Sequence, residues 1–128
     1  VKSREIDLVV IDSVTALLSE AELNYALGEN IQGCLGNLMS KGLRRIVSAL
    51  TPQGCSVLFL NQLRMRSHLA GPQASPSGGR ALPCYSSIRI ELTNDRPQTS
   101  RAKDCIQARV VKNKITGHRK TVKLTLSK

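Results

Sequence analysis

The sequence predicts an α/β fold: a β-sheet of mixed strand direction, flanked by helices and closed by a C-terminal antiparallel hairpin. Three observations carry the α/β class. A continuous apolar run at 8–11 and a largely apolar one at 55–60 suit buried strands. Between them runs a helical apolar stripe, and the last third alternates apolar with polar residues. With 128 residues, 41% hydrophobic and 22% charged, the chain is expected to form one domain, or a part of one, over 1–128. No apolar run approaches the ~20 residues of a membrane helix. The first residues lack the pattern of a signal peptide, so neither a span nor a secretory prefix is expected.

The elements follow in order. Leu8-Val9-Val10-Ile11 reads as a buried strand ending in Asp12, and Val14 to Leu23 as a short helix. Tyr25 to Gln32, with Gly28, is a polar turn. Leu35, Leu38, Met39, Leu43, Ile46, Val47 and Leu50 recur at i, i+3 and i+4 with Lys41, Arg44 and Arg45 off the stripe, predicting a helix stopped by Pro52 and Gly54. Cys55 to Leu60 is a second buried strand closed by Asn61-Gln62. Leu63 to Gly79 shows no periodicity and reads as a long loop, a kind usually tied to function. Ile88, Ile90 and Leu92 alternate with Arg89 and Glu91 as a half-buried strand. Residues 106–114 and 120–126 alternate again around Thr116-Gly117-His118, an antiparallel hairpin. Two buried strands followed by a meander imply a mixed sheet.

Charge divides the chain. Residues 1–63 carry 5 basic and 6 acidic side chains, whereas residues 64–128 carry 14 and 3. A strongly basic half suits a polyanion, since clustered Lys and Arg attract phosphates. Plain solubility or an acidic protein neighbour are the alternatives. With only Tyr25, Phe59 and Tyr85 as aromatics, stacking on bases should be minor and phosphate contacts dominant. Cys34, Cys55, Cys84 and Cys105 form no C-x-x-C pair. Zinc is therefore not expected, and reduced thiols are.

Two features carry possible chemistry. An apolar strand ending in Asp12 has the Walker B pattern, in which a carboxylate holds the water shell of a nucleotide-bound Mg²⁺. The same residue type also caps helices. Asn61-Gln62 at the tip of the next strand places a carboxamide where a γ-phosphate or its attacking water can be felt. An Asn/Gln pair that merely begins a loop is the alternative.

The blocks LVVIDSVTAL (8–17), Met39-Ser40 with Leu43-Arg44-Arg45, FLNQLRM (59–65), Gly78-Gly79 with Ala81-Leu82, Tyr85 and Arg89, and VVKNK (110–114) together resemble the bacterial RecA recombinase family. The resemblance is to the second half of its ATPase core, in order over nearly the whole chain. It implies ATP and Mg²⁺ as cofactors, single-stranded DNA as partner (RNA remaining open), and neighbouring copies in a filament. Asp12 matches the Walker B carboxylate, holding Mg²⁺ through water, and Gln62 the glutamine that senses the γ-phosphate and signals to the loop after it. Leu27 to Gly33 matches the first DNA-binding loop and Arg64 to Gly79 the second. Arg44, Arg64, Gly78 and Gly79 match positions that touch the DNA backbone, and Arg66 joins them as a basic residue of the second loop. Lys112 and Lys114 match a lysine pair that reaches a neighbouring subunit's ATP, where a charge supplied in trans assists phosphoryl transfer. A solvated strand face is the plainer reading of those two lysines.

Departures from the family pattern limit what the resemblance implies. No G-x-x-x-x-G-K-[ST] occurs in the 128 residues, and the family's catalytic glutamate matches a position upstream of Val1. ATP hydrolysis by this chain alone is therefore not expected. Asn37 replaces a DNA-contacting arginine, Pro83-Cys84 a basic and aromatic interface pair, and Ser67 falls where an apolar wedge stands. Two expectations result. One is a recombinase core segment that binds single-stranded DNA and, in a filament, serves ATP-dependent strand exchange and repair in the bacterial cytoplasm, at the nucleoid. The other is a catalytically inactive basic module within a larger nucleoid or ribonucleoprotein assembly, with a mitochondrion or plastid as the alternative compartment. No membrane partner is expected.

Overall fold

The computed structural model describes residues 5–24, 33–50, 54–68, 71–94 and 105–125. The chain divides into two compact units, Val1–Tyr85 and Ser86–Lys128.

In the first unit, β1 (Leu8–Ile11) pairs in parallel with β2 (Ser56–Phe59), Leu8 opposite Ser56 and Ile11 opposite Phe59. A parallel pair needs a crossover, and α2 (Cys34–Leu50) supplies its helix. Gly33, at φ +87°, leads into α2, and its carbonyl accepts the Asn37 amide at 3.0 Å. The expected stripe faces inward through Met39 and Leu43, 4% and 2% exposed, while Lys41, Arg44 and Arg45 face out. Val47, at the stripe's margin, is 40% exposed. Met39, Leu43 and the fully buried Val14 form the core, with Leu17, Leu35, Phe59, Ala81 and Leu82 packed on it. Each such side chain contributes about 1.5–3 kcal/mol through burial.

The segment expected as one short helix is broken in two. Val14–Ala16 makes a single 3-10 turn and α1 spans Glu20–Leu23. Ser19 and Glu22 explain the second start as a capping box. The Ser19 amide and hydroxyl donate to Glu22 Oε2 at 2.8 and 2.7 Å, and the Glu22 amide donates to Ser19 Oγ at 3.2 Å.

The expected loop of Leu63 to Gly79 is a β-ribbon instead. β3 (Leu63–His68) and β4 (Gly71–Pro76) pair antiparallel from Leu63 opposite Pro76 to His68 opposite Gly71. The ribbon forms its own two-stranded sheet. Its backbone pairs, yet Leu63, Arg64, Met65 and Ala74 are all exposed. With these side chains all exposed, no period of two is imposed on this part of the sequence. Pro72 and Pro76 fit because β4 has a free edge and needs no second ladder. The short helix α3 (Ala81–Tyr85) follows.

The second unit is a three-stranded antiparallel sheet. β5 (Ile88–Asn94) pairs with β6 (Cys105–Asn113), which pairs with β7 (Thr121–Thr125). The expected C-terminal hairpin is thus present, and helices plus strands place the chain in the α/β class. Among the described residues, the parallel pair, the ribbon and the meander lie in three separate sheets rather than in one mixed sheet.

Burial also differs from expectation. β1 and β2 are covered on one face only: Leu8, Val10 and Leu58 are 56%, 51% and 48% exposed. In β5 the half-buried residues are Arg89 and Glu91, while Ile88, Ile90 and Leu92 face outward. All four cysteines are free thiols, and Cys55 is buried as expected. No helix among the described residues is long and apolar enough to cross a membrane.

Candidate functional site

The parallel register places the carboxyl ends of β1 and β2 side by side. Asp12 follows Ile11 directly and Gln62 stands three residues beyond Phe59, so both emerge at the same edge of the pair. That edge is where open α/β sheets bind ligands, because the chain turns away there and leaves polar groups accessible. Both residues are exposed, and the Asp12–Ser13 peptide is cis. Ser13 Oγ and Thr15 Oγ1 lie 2.7 Å apart just beyond.

A series of hydrogen bonds joins this edge to the ribbon. The Leu60 amide donates to the Ile11 carbonyl and the Val14 amide to the Leu60 carbonyl, both at 2.9 Å. The Gln62 amide donates to Asn61 Oδ1 at 2.8 Å, and Asn61 Nδ2 donates to the Ser77 carbonyl at 2.9 Å. The Ser77 amide donates to the Gln62 carbonyl at 3.3 Å. The ribbon therefore grows from the strand edge that carries Asp12 and Gln62.

Arg64 is exposed one residue into β3, across from Ser75, and Arg66 stands two positions on, across from Gln73. Arg44 is exposed on α2. Among the described residues neither Arg44 nor Arg64 has an ion-pair partner. Gly78 is buried at φ +85°, and a Cβ there would stand 3.0 Å from Val14 Cγ1 and 3.1 Å from Met39 Cγ. Its lack of a side chain thus has a packing cause of its own. Gly79, at φ +75°, is exposed, with its Cβ position 3.6 Å from Gly36 Cα. Of the segment Leu27 to Gly33, residues 27–32 lie outside the described residues.

Lys112 and Lys114 belong to the second unit. Lys112 is half-buried near the end of β6, opposite Arg89 beside a register shift, and Lys114 is exposed just after the strand. Asn113 between them organises the turn. Its Oδ1 accepts the Ile115 and Thr116 amides at 3.0 and 3.1 Å, while its Nδ2 donates to Thr116 Oγ1 at 2.7 Å and the His118 carbonyl at 3.0 Å. The two lysines consequently flank a fixed point.

Sequence reasoning missed three features. Asn61 and Ser77 tie the ribbon's root, and only the pairing of residues sixteen apart reveals them. An open depression of about 290 Å³ on the β6–β7 hairpin is lined by Arg109, Val110, Val111, Arg119, Lys120 and Thr121. Its cations come from β6 (Arg109) and from the segment just before β7 (Arg119 and Lys120), brought together by the pairing of Arg109 with Thr121. Arg109 also pairs with Glu91 at 2.7 Å across β5 and β6. No three His, Cys, Asp or Glu side chains gather as a metal site among the described residues.

Comparison with known proteins gives a consistent result. Residues 1–127 match the family model described as the RecA N-terminal domain. Protein RecA of Mycoplasmopsis pulmonis is 42% identical over 119 residues, covering 89% of this chain and 35% of that protein. Protein RecA of Mycoplasma mobile is 39% identical over 120 residues, covering 90% and 36%. Protein RecA of Borrelia hermsii is 37% identical over 132 residues, covering 98% and 37%. The chain thus spans little more than a third of the length of these relatives. On the strength of a family match running almost end to end, the chain belongs to the RecA family.

Proposed function

We propose that this chain is a recombinase core segment that engages single-stranded DNA through the β3–β4 ribbon and couples that contact to a nucleotide. One observation carries the proposal: the ribbon bearing Arg64 and Arg66 is rooted at the strand edge that presents Asp12 and Gln62. Groups reading a nucleotide and groups reading a polyanion then share one backbone support.

ATP with Mg²⁺ is the cofactor this reading implies, and the residues present fit part of it. Asp12 is exposed at a strand's carboxyl end, placed to receive a Mg²⁺ hydration shell. Gln62 offers a carboxamide that is donor and acceptor at once, suited to a phosphate oxygen or an attacking water. When bound, the nucleotide supplies a transferable phosphoryl group. This chain's part is to hold the Mg²⁺ side, orient the γ-phosphate side and pass a change at Gln62 to the ribbon. Lys112 and Lys114 act in the same reading as cations presented to a neighbouring copy's nucleotide, with Asn113 fixing their spacing. Arg44, Arg64 and Arg66 neutralise backbone phosphates, and Gly78 and Gly79 let the chain pass close to them. The bacterial cytoplasm, at the nucleoid, is the compartment in this proposal.

The test is binding of a fluorescent oligo(dT) across a salt series. Log affinity should fall steeply with log salt, by about 0.7 per phosphate contact on a single strand. Replacing Arg64 and Arg66 together by Ala should lower affinity for oligo(dT) and oligo(dC) alike and flatten the slope by about one to two contacts. Salt-independent binding, or a loss confined to one base composition, overturns the proposal.

A further inference from the structure

We infer that Asn61 is a positioning residue for nucleic-acid engagement, its carboxamide clasping both roots of the β3–β4 ribbon so that Arg64 is held in a fixed place. This inference rests on the reading of Arg64 as a phosphate contact.

The clasp follows from how Asn61 spends its two polar ends. Oδ1 accepts the amide of Gln62, the next residue, and Nδ2 crosses to the carbonyl of Ser77. Ser77 returns a bond to the Gln62 carbonyl. The Gln62 backbone is therefore held at its amide by Asn61 and at its carbonyl by Ser77, one step before the first ribbon pair, Leu63 with Pro76. Arg64 stands directly beyond that pair. A two-stranded ribbon alone is marginally stable in water and free to splay or twist at its root. Here the root is closed by a side chain, then anchored through Gly78 to Val14 and Met39. The ribbon's exposed arginine inherits the order of the core.

Ser77 adds a second mark of a special root. Its residue is 9% exposed, and its hydroxyl is the buried side-chain polar atom without a hydrogen-bond partner among the described residues. A buried hydroxyl held unpaired beside the clasp belongs to a site whose geometry is set by other bonds rather than by its own satisfaction.

A double-substitution cycle on the protein tests the inference, reading oligo(dT) affinity by fluorescence anisotropy. Asn61→Ala should weaken binding about five- to tenfold, the scale of one or two lost hydrogen bonds. In an Arg64→Ala background the same change should cost less than about twofold, because the residue being positioned is already gone. Asn61→Ser serves where Asn61→Ala folds poorly: it keeps an uncharged polar side chain and loses the donor that reaches the Ser77 carbonyl. It should reproduce the loss and the non-additivity. Equal costs in both backgrounds, or unchanged affinity in a folded Asn61 variant, overturn the inference. If the unmodified protein fails to bind oligo(dT), the nucleic-acid reading itself falls. Hydrogen exchange then still reads the clasp without substitution: slow exchange of the Gln62 and Ser77 amides is expected, and exchange at the rate of unstructured peptide overturns it.

Discussion

The two units differ in where their apolar side chains go. In residues 1–85 a helix lies over the strands, and Val14, Met39 and Leu43 are buried as one cluster. In residues 86–128 the strands pair along most of their length, yet none of the described residues is buried. Ile90 pairs with Val110 and Leu92 with Ala108, while Ala108 and Ile106 pair onward with Val122 and Leu124. A sheet's hydrogen bonds therefore specify its register completely without supplying a core. The difference teaches that pairing and burial are separate requirements, and the second unit meets only the first by itself. Its apolar face marks a surface that another layer of protein is suited to cover.

The largest expected effects test this contrast directly. Leu43→Ala should cost about 2–5 kcal/mol in a urea titration, the usual range for a buried leucine. Leu92→Ala, at a position 63% exposed, should stay within about 0.5 kcal/mol. A cost at Leu92 matching that at Leu43 would mean that the outer face is covered in solution, breaking the contrast.

Glycines sharpen it next. Gly78 and Gly117 both have positive φ, but only Gly78 has neighbours where a side chain would stand. Gly117→Ala should cost about 1–2 kcal/mol from backbone conformation alone. Gly78→Ala should add an overpacking cost of about 1–3 kcal/mol. Equal values at the two sites would show that the seat between Val14 and Met39 yields freely.

Smaller effects belong to the surfaces. Glu91→Gln should remove about 0.2–1 kcal/mol by breaking the pair with the largely exposed Arg109, and salt should shrink the difference. Smallest is the capping box. The Ser19 amide, and then its hydroxyl, hold the Glu22 carboxyl below the usual carboxylate range. A depressed folded value means that its contribution is present above the unfolded pKa and fades as pH falls through the folded one. Helical signal at residues 20–23 should accordingly weaken below about pH 4, and Ser19→Ala, which removes the hydroxyl but keeps the amide, should reduce that dependence without abolishing it.

What the sequence disclosed follows the same division. The helix at 34–50 was legible because one-sided burial writes a 3.6-residue stripe, broken only at Val47. The strand positions were legible from β-branched runs and alternation, and Asp12 and Gln62 from their places at strand ends. The β3–β4 ribbon was not legible, because Leu63, Arg64 and Met65 are exposed alike and its prolines suggest a loop. The burial of β1, β2 and β5 was also misread. Apolar residues such as Val10 and Ile90 record that a face suits cover, whereas exposure depends on what is packed there. Asn61 was visible only as part of a strand-ending pair. Its bond to Ser77 spans sixteen positions, and no local pattern encodes it.

The seat of Gly78 bears on how descent within this family is read. A glycine wedged between Val14 and Met39 is retained by selection for folding, whether or not anything binds beside it. A lineage that had abandoned nucleic acid altogether would keep Gly78 as faithfully as one that had not. Arg64, exposed on the ribbon, would drift first. Between two descendants of this fold, the glycine tells of ancestry and the arginine of present use.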